Sequence, residues 1–171
     1  VVLTHAHGDH LGGLLDNERT SFPNAELVLT REEVTFWTGP DVPSERASQA
    51  AALGSALGAY GNRVRQIDLR ESIAESAGET GSPVQVTALP APGHTPGHIG
   101  VQIVSAENRL WLLTDTLHAP FQLAHPEWSP RFDGDPARAV RTRQYLLEQA
   151  ADLGVLTHFF HLPFPGLGYV R

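Results

Sequence analysis

The chain has 171 residues, 41% of them hydrophobic and 18% charged, with a formal net charge of -7. That is the composition of an ordinary globular domain long enough to bury a core, and its negative balance disfavours a broad basic face for nucleic acid or an anionic membrane. There is no cysteine, which excludes thiolate metal ligands, a Cys nucleophile and disulfides, and no run reaches the ~18 apolar residues of a membrane span.

In chain order, VVLT at 1–4 predicts a short buried strand. HGDHLGGLL then turns into a short helix, with Gly8 expected to let the backbone turn closely and Gly12-Gly13 to let the helix pack near its surroundings. AELVLT (25–30) predicts a strand and REEVTFW one or two helical turns. Ser44 follows Pro43 as the expected N-cap of an Ala-rich helix reaching Tyr60. RVRQIDL is a strand candidate, and 71–83 is polar without periodicity and is expected to be a connector. VQVTALP (84–90), IGVQIV (99–104) and RLWLLT (109–114) predict three strands, the last two joined by a turn at AENR. Residues 135–154 predict the clearest helix, capped by Asp135, opened by Pro136 and stopped by Gly154. Its expected apolar face is Ala139, Leu146, Leu147, Ala150 and Leu153. VLTHFF predicts a final strand, and strands mixed with long helices indicate α/β layers.

The polar residues that follow these apolar runs carry the chemistry. VVLT leads to His5, His7, Asp9 and His10. The strand ending at Leu89 leads to His94, RLWLLT to Asp115, and VLTHFF to His161. In layered α/β folds, sites gather at strand ends. In extended backbone His5 and His7 face the same way, while the consecutive Asp9 and His10 need a turn to aim them elsewhere. One tight loop can then serve two metal ions. Imidazole and carboxylate without sulfur suit Zn, Mn, Fe or Co. A single histidine after a strand is ordinarily a core or surface residue. Burying three imidazoles and a carboxylate without a shared partner is costly, and PGHTPGH and LLTDT repeat the pattern further along.

THAHGDHLGG resembles the T-H-x-H-x-D-H-x-G-G signature of the metallo-β-lactamase superfamily. APGHTPGHIG resembles its third motif and LLTDT its bridging-aspartate motif. The resemblance spans the chain and implies a single, partial metallo-β-lactamase-like domain over 1–171, an α/β fold of αββα sandwich type. Against that pattern, the strands that normally precede the first motif and the closing strand after GYVR are expected to be missing from this sequence. With no methionine and Val1 already inside an apolar run, the expectation is a fragment lacking an N-terminal portion.

The resemblance implies two divalent metal ions, Zn expected and Mn, Fe or Co the alternatives. His5, His7 and His94 would bind the first ion, Asp9, His10 and His161 the second, and Asp115 would bridge. His98 is not a ligand in that pattern and is expected to be structural or to stand behind a ligand. TDTLHAPFQLAHPEW and HLPFPGLGYV look like the branch containing methyl parathion hydrolase and related lactonases, which favours His161 over His158. In that branch Phe36, Trp37 and Phe121 fall at aromatic pocket positions, with core packing the competing reading. The implied activity is hydrolysis of a lactone or aryl ester, with organophosphate triesters as further substrates, by a water bridging the two ions. Asp9 and Asp115 would organise it and His118 would donate a proton. A glyoxalase-type thioesterase or a β-lactamase-like hydrolase is the enzyme alternative; a nuclease or a non-catalytic member is the other. The expected partner is a small ester or lactone, with no nucleic acid and no membrane, and a homodimer stays open.

Overall fold

The computed structural model of the chain describes residues 1–77 and 81–171. It divides the chain into two compact units, Val1–Asp68 and Leu69–Arg171.

In the first unit the expected strand at 1–4 shrinks to one bridge, Val2 beside Val28, because the chain bends at Thr4. Helix α1 (Gly8–Leu11) follows, then a two-residue hairpin of β1 (Leu15–Asp16) and β2 (Arg19–Thr20). Asn17 and Glu18 turn it with φ of 46° and 67°, the left-handed pair that a tight hairpin requires. β3 (Leu27–Thr30) runs parallel to β4 (Val64–Ile67), with α2 (Arg31–Thr38) and α3 (Ala47–Tyr60) between them in sequence. Parallel strands need such a helical connection. Thr30 caps α2 by accepting from the Glu33 amide at 3.2 Å. Ser44 does not cap α3. It opens a 3-10 turn, Ser44–Arg46, that feeds the helix, a common way to start one. Leu53, Ala56 and Tyr60, three and four apart, put the buried face of α3 against Leu3, Leu27, Leu29 and Trp37.

The second unit is built on one six-stranded sheet among the described residues. Its first strand, β5 (Ser72–Ala77), lies where a connector was expected. The segment is polar because only Ile73 is buried, so an exposed edge strand shows no apolar alternation. Residues 78–80 of that expected connector lie outside the described residues. β6 (Pro83–Pro90), β7 (Ile99–Ser105) and β8 (Asn108–Leu112) form an antiparallel meander. α4 (Pro136–Asp152) then crosses to β9 (Leu156–His158), parallel to β8, and β10 (Leu167–Tyr169) pairs antiparallel at the edge. Asp135 caps α4 by accepting from the Arg138 amide at 2.9 Å. The buried face of α4 is Ala139, Arg143, Leu146, Leu147 and Ala150. Leu153, expected there, is half exposed because it stands at the C-cap beyond the last full turn.

These pairings decide where the chemistry lies. β6 is antiparallel to β7, β7 to β8, and β8 is parallel to β9. β6, β8 and β9 therefore point the same way, and the loops carrying His94, Asp115 and His161 leave the same end of the sheet.

Candidate metal centre

In the first unit the ligand candidates sit in one loop and the helical turn after it. The His5 and His7 rings are 4.9 Å apart and those of His5 and His10 4.2 Å. Asp9 and His10 lie in α1, whose first turn starts from the His7 carbonyl, and His10 Nε2 is 3.5 Å from Asp9 Oδ2. The expected turn is thus a helical one. Gly8 has open space where a Cβ would stand, whereas a Cβ on Gly12 would lie 2.8 Å from the Gly8 carbonyl oxygen. Gly12, not Gly8, is therefore the position that close packing reserves.

This loop is held from behind by Glu33. Its fully buried carboxylate accepts from the Ala6 amide at 2.9 Å and from Trp37 Nε1 at 2.6 Å. Trp37 is buried among core side chains and turns its ring edgewise to His7, 5.8 Å between centroids. Phe36 is partly buried beside it. Arg46 places Nη1 3.2 Å from His7 Nε2.

In the second unit three imidazoles converge on one carboxylate oxygen. His161, His118 and His94 place their Nε2 atoms 3.1, 3.3 and 3.4 Å from Asp115 Oδ2. Asp115 and His94 are almost fully buried. His161 is reached through the loop after β9, while His158 stays within β9, where its carbonyl accepts from the Leu113 amide at 2.8 Å. His118 stacks on His161, rings 5.1 Å apart and 23° from parallel, and neither of its buried ring nitrogens has hydrogen-bond geometry to any described residue. Phe132 meets the His94 and His118 rings edgewise, and Phe121 is half exposed.

Two further networks lie behind these ligand candidates. His94 Nδ1 donates to Asp133 Oδ1 at 2.8 Å. Asp133 Oδ2 accepts from Ser129 Oγ and, at 3.4 Å, from Arg143 Nη2. His98, fully buried, donates from Nδ1 to the Ala91 carbonyl at 2.8 Å and accepts at Nε2 from the Thr114 hydroxyl at 2.7 Å. Thr114 has φ +40°, a strained conformation for a β-branched residue, and it immediately precedes Asp115. His98 thus holds the residue before Asp115, in keeping with the structural part that the resemblance implied for it.

The donor set fits a cation. With its Nδ1 proton given to Asp133, a neutral His94 presents a lone pair to Asp115 Oδ2. Two acceptors 3.4 Å apart repel unless a proton or metal ion stands between them. The same demand acts on protons. Burial, the largest influence on His94, lowers its pKa, but Asp115 and Asp133 together outweigh it and the pKa is raised. For His118 burial dominates, against the opposing Asp115, and the pKa is lowered. Burial works to raise Asp133, yet His94, Ser129 and Arg143 hold its carboxyl below the usual range.

Glu33, Asp133, Arg143 and Thr114 were not singled out in the sequence. The one local signal was FDGDP, where two acids precede a helix and only Asp135 is needed as its cap.

The Metallo-beta-lactamase superfamily model matches residues 1–160. The dizinc quorum-quenching lactonase AidC, solved with a product, is 29% identical, with a TM-score of 0.84 over 98% of this chain and 58% of its own. The hydrolase AbOPH of the beta lactamase superfamily is 27% identical, with a TM-score of 0.86 over the same shares. The uncharacterized protein YobT of Bacillus subtilis (strain 168) is 32% identical over 98 residues, 57% of this chain and 37% of YobT. The chain spans less than two thirds of the length of each of these relatives. With the family's pattern extending from the first residue to the loop after β9, the chain belongs to the metallo-β-lactamase superfamily.

Proposed function

We propose that the chain carries the ligands of a metal-dependent hydrolase that opens a lactone or cleaves an aryl ester, with organophosphate triesters as secondary substrates. The observation that carries this reading is the convergence of three imidazole Nε2 atoms on Asp115 Oδ2. The likeness to a dizinc lactonase supports the choice of substrate.

His5, His7 and His94 are the proposed ligands of one ion, Asp9, His10 and His161 those of the other, with Asp115 shared. Zinc is the proposed metal. Divalent ions held by these residues would supply Lewis acidity, lowering the pKa of a water towards neutrality and polarising the substrate oxygen. The protein's own part is charge and orientation. Asp115 and Asp9 would supply negative charge against the ions, and Asp9, half exposed, is the group proposed to orient the attacking water. His118, kept neutral by burial, has one N–H to donate to the substrate or to the departing oxygen. An aryl oxide or a ring-opened alkoxide has a different need for that proton, so His118 matters more for lactones. Phe121 and Phe36 are each proposed as apolar contacts for a neutral ester, and Trp37 packs beside Phe36 from the core of the first unit.

Metal analysis should give about two ions per chain. Asp115→Asn should abolish turnover of an acyl lactone. A panel of lactone, aryl ester, phosphotriester and thioester should show the lactone or the aryl ester turned over fastest. Full turnover after thorough chelation would overturn the reading.

A further inference from the structure

We propose that Asp133, clamped by Ser129 and Arg143, is the positioning residue that fixes His94 as an Nε2 metal donor. The inference rests on the metal-site reading above.

The geometry begins at the PGH loop. Gly93 has φ +129°, and a Cβ there would lie 2.2 Å from the Ala139 amide nitrogen. The loop therefore lies directly on the start of α4. The Gly134 and Asp135 amides donate to the carbonyls of His94 and Gly93 at 3.0 and 2.9 Å. This backbone seam sets where His94 starts. It acts on the main chain alone and does not decide which ring nitrogen carries the proton. Asp133 settles this, because a carboxylate accepts only from Nδ1–H and leaves the Nε2 lone pair facing Asp115.

Asp133 is in turn held in one rotamer. Its side chain is fully buried, and both oxygens are engaged, Oδ1 by His94 and Oδ2 by Ser129 and Arg143. Arg143 is itself fixed, donating to the carbonyls of Thr116, Pro126 and Trp128 at 2.7, 2.8 and 3.0 Å. Thr116 is the residue after Asp115, so one guanidinium braces the backbone next to one proposed ligand and the carboxylate behind another. A buried ion pair of this kind is weak support for stability, since both charges lose water. Helix capping does not account for it either, because Asp135 fills that role. Orienting the ligand is the role left that uses every contact observed.

The experiment is cobalt substitution of the protein, with affinity read by chelator competition and geometry read from the visible absorption spectrum. Asp133→Asn keeps the shape but removes the charge and places an amide N–H2 among donors. One bound cobalt should weaken by ~10–100-fold and the spectrum should change, in addition to the fall in melting temperature of the chelated protein expected from leaving Arg143 without its carboxylate. Ser129→Ala, at an exposed position, should give a smaller loss in the same direction, and it decides the matter if Asp133→Asn does not fold. Unchanged cobalt affinity and spectrum in the folded variant would overturn the inference, as would a loss of melting temperature with no spectral change. Failure of the unsubstituted protein to bind cobalt would instead overturn the proposed function, so the two failures are distinguishable.

Discussion

The two units hold their ligand candidates by different means. In Val1–Asp68 all four lie within six consecutive residues, and the main support is Glu33 gripping the backbone between two of them. In Leu69–Arg171 the candidates come from three strand ends far apart in sequence, and the support is side chain to side chain, Asp133 to His94 and His98 to Thr114. A local cluster needs one anchor on its main chain. A dispersed one needs each side chain oriented separately, and the cost is buried charge and backbone strain.

The difference can be broken most sharply at Gly93. Gly93→Ala puts a Cβ 2.2 Å from backbone in a conformation closed to L-residues, so a loss of at least ~4 kcal/mol is expected. Thermal unfolding would read it, and a shift of under about 2 °C, which corresponds to less than ~1 kcal/mol at this size, would contradict the seam described. The counterpart in the first unit is Glu33→Ala. It leaves the Ala6 and Trp37 N–H groups buried without their acceptor, at ~2–4 kcal/mol. Urea titration measures this loss, and Glu33→Gln, which keeps the oxygen, should recover part of it.

A pH series sharpens the contrast. In the chelated protein the raised pKa of His94 contributes stability below its unfolded value of about 6.5, and this is lost as pH rises through the folded value. The metal-loaded protein should show the opposite slope there, because metal displaces that proton. The lowered pKa of Asp133 contributes stability above about pH 4, lost as pH falls through the folded value. Parallel slopes for the two forms as pH rises above about 6.5 would contradict metal binding at His94. The smallest effect is expected far from both networks. Gly54 in α3 has open space for a Cβ, so Gly54→Ala should stabilise by ~0.5–1 kcal/mol and leave metal affinity unchanged.

What the sequence made legible follows the same division. His5, His7, Asp9 and His10 could be read from local spacing, and the strands before His94 and Asp115 from their apolar runs. Strand β5 could not, because an edge strand with one buried residue carries no alternation. Nor could the Asn17-Glu18 hairpin, which lacks the glycine that usually marks such a turn. Asp133 and Arg143 were hidden for a different reason. On sequence alone an acid before a helix reads as a cap and an arginine within it as solvated surface. Only the packing of α4 shows that each is buried and paired.

The measurement that bears most directly on the central claim is lactone hydrolysis by the protein before chelation, after chelation and after zinc is restored. The account predicts turnover that is lost with the metal, returns at about two zinc ions per chain, and does not return in Asp115→Asn. Turnover that survives chelation, or that Asp115→Asn retains, would contradict it.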